Sequence, residues 1–131
     1  MASNNKKRTG KARPDKTAAA PRTKPGKPTK LQAILEKRIR ASQLPGEEPL
    51  EGARLAEAAA FLLEAARQRD QGEPVIVLHS ASEQRRFMRI ALINDDMPFL
   101  VDSVAAASAA HGLAIDLLVH PIVPVERDKS G

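Results

Sequence analysis

Residues 93–104 read Ile-Asn-Asp-Asp-Met-Pro-Phe-Leu-Val-Asp-Ser-Val, and the hydrophobic period of the chain changes within them. The run Phe87–Ile93 before the change is almost continuously apolar, which predicts a strand buried on both faces. After it the period becomes helical, and we expect a helix that Gly112 ends as a left-handed cap. Asp96 is predicted as the N-cap of this helix, and Pro98 falls in the first turn, where a missing N–H has no cost.

Two further strands are predicted around this unit. The β-branched run 75–78 follows a turn at 71–74, and a third apolar run occupies 113–119. A strand–helix–strand unit with a crossover of this length is expected to be right-handed, with parallel strands. The alanine-rich run 105–110 allows the helix to lie close to its sheet.

Two helices are predicted upstream of the strands. The segment 29–32, Thr-Lys-Leu-Gln, has the form of a capping box and opens a helix that ends before Pro45. A second helix follows Pro49, because its apolar positions repeat with helical spacing. These positions are Leu55, Ala58, Ala59, Leu62, Leu63 and Ala66.

The charge of the chain is concentrated at its amino terminus. Residues 1–30 hold ten basic groups and one acidic group, a net charge of +9, whereas the other 101 residues hold 11 basic and 15 acidic groups, a net charge of −4. This region has several prolines and no Leu, Ile, Val or Phe before Leu31, so we predict that residues 1–29 form a disordered basic tail. A solubilising role is favoured over sequence-independent binding of phosphate backbones.

Several classes of protein do not fit the composition. The chain has no Cys, Trp or Tyr and only three Phe, so it offers no disulfide framework, no cysteine nucleophile and no aromatic platform for single-stranded nucleic acid. No apolar run is long enough for a membrane helix, and the first residues do not resemble a secretory signal. We therefore expect a cytoplasmic protein without a membrane partner.

The sequence shows no catalytic or cofactor motif. His79, His111 and His120 lack partners at metal-ligand spacing, so structural or surface roles are favoured for them. Glycine-rich phosphate motifs and a nucleophile elbow are also absent. We predict no catalytic, cofactor-binding or metal-binding residue in this chain. Asp95 and Asp96 could hold a divalent cation with Asn94, but helix capping is the favoured role of the two carboxylates.

A family resemblance rests on three stretches of the chain. Residues 93–104, together with Ala-Ala-His-Gly-Leu-Ala-Ile-Asp (109–116) and His-Pro-Ile-Val-Pro-Val-Glu-Arg-Asp (120–128), closely resemble the amino-terminal region of the large-type bacterial NAD-specific glutamate dehydrogenases. In that family the motif lies in the first of several ACT-like domains. The resemblance covers roughly residues 50–128.

The resemblance implies an α+β fold: a truncated ACT/ferredoxin-like β-α-β unit, preceded by two helices and the disordered basic tail. The domains expected from it are the tail (1–29), a helical segment (30–70) and a partial ACT-like domain (71–131). Such a unit leaves a sheet edge unpaired, which another segment would cover in a complete protein.

The function implied is that of a regulatory or assembly segment. The family converts glutamate and NAD to 2-oxoglutarate and ammonium, but its catalytic and NAD-binding domains lie far downstream of this motif. The chain would therefore be non-catalytic by itself and would bind no cofactor. Its expected partners are the remaining domains or subunits of the dehydrogenase, or a second copy of the chain. The alternatives are a free-standing amino-acid sensor of the ACT type and a nucleic-acid binder that acts through the tail.

The candidate site is the loop between the predicted strand and helix, and its residues are Asn94, Asp95, Asp96, Met97, Pro98 and Phe99. Many ACT domains bind amino acids at the corresponding loop, where they carry Asp-x-Pro-Gly. Asp96 and Pro98 match this pattern, but Phe99 replaces the glycine that lets the backbone approach a ligand. The substitution favours structural packing over ligand binding, with Phe99 filling the pocket or packing against a neighbouring domain.

Overall fold

The computed structural model describes residues 29–81 and 87–129. Its elements are α1 (Lys30–Ser42), α2 (Gly52–Ala65), β1 (Val75–Ala81), β2 (Phe87–Ile93) and α3 (Leu100–Ala110). The α+β class predicted from the sequence is confirmed. Almost all of the predicted tail, residues 1–28, lies outside the described residues, as does the loop between β1 and β2, residues 82–86.

Helix α1 begins where the capping box predicts. The Thr29 hydroxyl oxygen accepts a hydrogen bond from the Gln32 backbone N–H at 3.2 Å, which satisfies one of the free donors of the first turn. The Gln32 side-chain amide donates to the Glu36 carboxylate one turn further along the helix, at 3.2 Å. The Thr29 half of the predicted box is therefore confirmed.

The core lies between α1 and α2. Ile39 is 0 % exposed and Leu55 is 1 % exposed, and they share one apolar cluster with Leu35, Leu50 and Ala59. The loop between the helices is tied back to this cluster, because the Leu50 N–H donates to the Gln43 side-chain oxygen at 3.2 Å. The periodicity that predicts α2 thus identifies the face that is buried.

Strands β1 and β2 form a two-stranded antiparallel sheet, in which Leu78 pairs with Ile90. Directly opposite residues share a face, so the sheet has two faces of different character. The inner face packs on α2: Ala91 is buried there, and Arg89 forms an ion pair with Glu57 at 3.1 Å. Residues of the other face, which we call the outer face, are exposed except for Leu92, which is half-buried. The prediction that β2 is buried on both faces is therefore wrong for the part of the chain that the structure describes.

Helix α3 differs from the prediction at its start and agrees with it at its end. The helix begins at Leu100 with Phe99 as its N-cap, so Asp96 is not the cap and Pro98 precedes the first turn. At the other end Gly112 has φ of +68°, and the Leu113 N–H donates to the Ser108 carbonyl at 2.9 Å. This is the left-handed glycine cap with its six-to-one hydrogen bond.

The predicted third strand, residues 113–119, is irregular in the structure. Leu117, Val119 and the following Val123 pack against the core of α1 and α2. The second half of the apolar run is thus covered by helices and not by a neighbouring strand, because a short apolar run does not specify what covers it. Helix α3 contacts no other described helix or strand, so the expected close approach of its alanines to the sheet is also wrong. Among the described residues, no helix is long and apolar enough to span a membrane.

Shortening a core side chain should destabilise the chain strongly. We expect Ile39→Ala and Leu55→Ala each to lower the free energy of unfolding by about 2–5 kcal/mol, because each leaves a cavity in a small core. The matched control is Leu44→Ala, since Leu44 is 61 % exposed and its change should stay within about 0.5 kcal/mol. Urea unfolding followed by circular dichroism measures all three.

The milder Ile39→Val, with an expected cost of about 0.5–1.5 kcal/mol, can be measured if the alanine variants do not fold. Equal midpoints for Ile39→Val and Leu44→Ala would contradict this account of the core.

Candidate functional site

The loop of residues 94–99, which we call the motif loop, is attached to the end of α2 by Arg69. The Arg69 Nη1 donates to the Asp95 carboxylate at 2.9 Å and Nη2 donates to the Asn94 side-chain oxygen at 3.5 Å. Its Nε donates to the Glu73 carbonyl at 2.6 Å, which fixes the turn before β1. All three guanidinium nitrogens of Arg69 are thus engaged. We call this arrangement the Arg69 clamp.

The clamp places a covered cation beside an exposed carboxylate. The Arg69 side chain is 9 % exposed, whereas that of Asp95 is 73 % exposed. The hydrogen bond from Arg69, and then its charge, lower the pKa of the Asp95 carboxyl below the ordinary value of 3.8. The same hydrogen bond raises the pKa of Arg69, against the opposing effect of its desolvation. Both groups therefore remain charged at neutral pH, and the pair fixes the start of the motif loop.

The predicted site residues divide into two groups. Asn94 and Asp95 meet at Arg69, and the Asn94 amide also donates to the Met97 sulfur at 3.1 Å. Asp96, Pro98 and Phe99 are exposed. The structure therefore brings together three of the six predicted residues, and it adds Arg69, which sequence reasoning missed. Arg69 lies in a polar stretch past the end of α2, 26 positions before Asp95, where no short motif connects the two.

Phe99 keeps the backbone conformation of a glycine. Its φ of +63° is left-handed, and no other non-glycine residue of the described chain has a positive φ. This conformation is strained for a bulky aromatic residue. The Phe99 ring is 76 % exposed, so it does not fill a pocket within the described residues. Of the two packing alternatives for Phe99, the one within the chain is not formed by the described residues.

A cleft of about 470 Å³ lies beside the clamp. Its walls are the turn 69–72, Asp95 and the segment 125–129, with cationic and acidic side chains on both sides. Asp95 is the only motif-loop residue in the lining, so the cleft is distinct from the loop that ACT domains commonly use. The cleft is open and mainly polar.

The residues that could ligate a metal ion make contacts within the chain. Asn94 Oδ1 and Asp95 Oδ1 accept hydrogen bonds from Arg69, and no cluster of three metal-ligating side chains occurs among the described residues. The His79 ring lies 6.0 Å from that of Phe61, and the His111 backbone caps α3. These contacts are structural.

Helix α2 packs on the β1–β2 hairpin and carries α1 on it, and the clamped motif loop leads from the hairpin to α3, so the described residues form an α+β segment. The family described as glutamate dehydrogenase, ACT1 domain, matches residues 40–131. The chain therefore belongs to this family, and the resemblance seen in the sequence is confirmed. No curated protein and no solved structure matches the chain.

Removing the Arg69 side chain should loosen the motif loop. We expect Arg69→Met to lower the urea midpoint of unfolding at neutral pH, because it deletes three hydrogen bonds and leaves the Glu73 carbonyl and Asp95 without their partner. Arg69→Lys should restore little, since an ammonium lacks the planar fork. The matched control is Arg67→Met: the Arg67–Glu64 pair is exposed on both sides, and such pairs contribute little. An equal shift of the urea midpoint in the two methionine variants would mean that Arg69 stabilises the chain no more than an exposed arginine does.

The clamp should also give the chain a particular pH dependence. Because the folded pKa of Asp95 is lowered, its contribution to stability is present above pH 3.8 and is lost as the pH falls through the folded pKa. We expect the wild-type chain to unfold at higher urea than Asp95→Asn at neutral pH, with the difference disappearing in strong acid. Asp96→Asn is the matched control, since Asp96 has no ion pair among the described residues. A difference that is constant across this pH range would contradict the assignment.

A glycine at position 99 should relieve strain. We expect Phe99→Gly to be about 1 kcal/mol more stable than Phe99→Ala, because the left-handed penalty of an L-residue exceeds the additional chain entropy of glycine. Both variants lose the same exposed ring, so the comparison isolates the backbone. Urea unfolding of the pair measures the difference. An alanine variant as stable as the glycine variant would show that position 99 is not held left-handed in solution.

Proposed function

We propose that this chain is the regulatory or assembly segment of an NAD-dependent glutamate dehydrogenase and is not catalytic by itself. The enzyme as a whole would convert glutamate and NAD to 2-oxoglutarate and ammonium in the cytoplasm. NAD and glutamate would be bound by other domains or subunits, which are the partners of this chain. The proposal is supported above all by the family match over residues 40–131.

The geometry of the motif loop supports a positioning role in this proposal. The loop is held by the chain's own Arg69, with the Asn94 and Asp95 oxygens already accepting hydrogen bonds. Met97 and Phe99 are left exposed beyond the clamp, at 48 % and 76 %. A clamped loop that presents apolar side chains is suited to contact with another protein surface. The outer edges of β1 and β2 are also unpaired among the described strands, and such edges accept further strands.

The amino-acid sensor and the tail-driven nucleic-acid binder stay as predictions from the sequence. The described residues form no enclosed pocket at the motif loop that favours the sensor, and the tail lies outside them. We therefore propose no second function.

The proposal is tested by tagging the chromosomal copy of this sequence and purifying the tagged polypeptide. We expect the purified material to form NADH when glutamate and NAD are added. A tagged polypeptide much larger than 14.1 kDa would mean that the segment is covalently part of the enzyme, and a tagged 14.1 kDa chain with a co-purifying dehydrogenase would mean assembly between subunits.

Two controls make this test specific. The recombinant 131-residue chain alone should form no NADH, and turnover by it would refute the non-catalytic part of the proposal. Chromosomal Arg69→Met should reduce the activity or the assembly of the purified enzyme, whereas Arg67→Met should not. Purified material without glutamate-dependent NADH formation would overturn the proposal.

A further inference from the structure

Helix α1 carries an open groove on its exposed side. The groove has a volume of about 360 Å³ and is lined by Ile34, Lys37, Arg38 and Ala41. All four residues are exposed, whereas Leu35 and Ile39 of the same helix are buried in the core. Two apolar side chains therefore lie beside two cations, and neither Lys37 nor Arg38 forms an ion pair within the described residues. We call this surface the α1 groove.

The end of the motif loop carries the opposite combination of groups. Phe99 is 76 % exposed and Met97 is 48 % exposed. The charged residues next to them along the chain are carboxylates, namely Asp96 and, in the first turn of α3, Asp102. Both carboxylates are exposed, neither has an ion pair in the described part of the chain, and residues 94–102 contain no Lys or Arg. We call Phe99 with these two carboxylates the Phe99 knob.

The conformation of Phe99 is not repaid by packing within one copy of the chain. Its left-handed backbone is costly for a bulky residue, and the exposed ring gains little from the described residues around it. Strain of this kind is typical of positions that serve a function. The α1 groove and the Phe99 knob are both exposed, so they do not cover each other within one copy.

We propose that the Phe99 knob of one copy of this chain docks in the α1 groove of a second copy. In this contact the aromatic ring covers the apolar floor of the groove, and the two carboxylates of the knob face its two cations. A groove of this volume admits one aromatic ring, which buries roughly 150–250 Å². Apolar surface meets apolar surface and each charge meets its opposite, and this double complementarity selects a second copy as the occupant.

The contact joins two different surfaces and is therefore heterologous. Each copy keeps a free groove or a free knob for the next one, so the association continues head to tail into a ring or an open chain. It should be weak, because one aromatic anchor is far smaller than the roughly 800 Å² per partner of a standard interface. Salt should weaken it further, since its charges lie at an exposed rim. The inference does not rest on the proposed function, and the failure of either leaves the other standing.

Sedimentation equilibrium of the full 131-residue chain tests the proposal. We expect the wild-type chain to form species beyond the dimer in the high micromolar range, and Phe99→Gly and Arg38→Glu should each raise the dissociation constant by about tenfold or more. Glycine suits the left-handed backbone at position 99, so this variant loses the ring without losing the fold. The matched control is Arg40→Glu, because Arg40 is exposed on the same helix but does not line the groove. Circular dichroism checks that each variant is folded.

Mixing the two variants distinguishes a head-to-tail contact from other kinds of association. Phe99→Gly chains keep the groove and Arg38→Glu chains keep the knob, so the mixture should form dimers that grow no further, although neither variant associates alone. A mixture that stays monomeric, or a wild-type chain that is monomeric into the millimolar range, would refute the proposal. Association that persists in both variants would place the contact elsewhere, at a strand edge or on the outer face. An equal effect of Arg38→Glu and Arg40→Glu would replace the proposed contact by nonspecific attraction between charges.

Discussion

The apolar contact between α1 and α2 is the constraint on which the rest of the structure depends. Ile39 and Leu55 are the two large side chains that are fully buried in the described part of the chain, and α2 is the one described helix that contacts the sheet. A two-stranded sheet is at best marginally stable alone. The contacts of α2 with β1 and β2 therefore hold the hairpin in place, and the motif loop follows directly after β2. Helix α1 contributes part of this core although most of its length precedes the family match at residue 40.

The Arg69 clamp extends this order from the helices to the motif loop. Arg69 follows directly after α2, and its bonds to Glu73 and Asp95 fix the chain just before β1 and just after β2. These two points flank the open end of the hairpin, because Val75 pairs with Ile93. One side chain thus closes the end of the sheet opposite the β1–β2 loop. It also explains how an exposed Asp95 is held in one place without being buried.

The sequence predicts those features that local chemistry determines. The Thr29 cap, the buried face of α2, the bounds of β2 and the Gly112 cap all follow from residues within a few positions of one another. Features that depend on contacts between distant parts of the chain are predicted less well. The apolar run 113–119 predicts burial, and Leu117 and Val119 do contact the core. The first half of the run is exposed, however, and the run could not show that helices would take the place of a neighbouring strand. The Arg69 clamp was missed for the same reason, because it joins residues more than twenty positions apart.

Phe99 shows how a site can keep the form of a motif while its chemistry changes. The left-handed backbone at position 99 is what the glycine of Asp-x-Pro-Gly allows, and the chain keeps that conformation with an exposed aromatic ring. A glycine there lets a ligand approach the backbone, whereas the phenylalanine presents an exposed apolar side chain. The strain is sustained because the clamp fixes the loop on one side and the hydrogen bond from the Ser103 N–H to the Phe99 carbonyl, at 2.9 Å, starts α3 on the other. A loop of this kind is better suited to contact with protein than to enclosure of a small molecule, and this favours assembly over sensing in the proposed function.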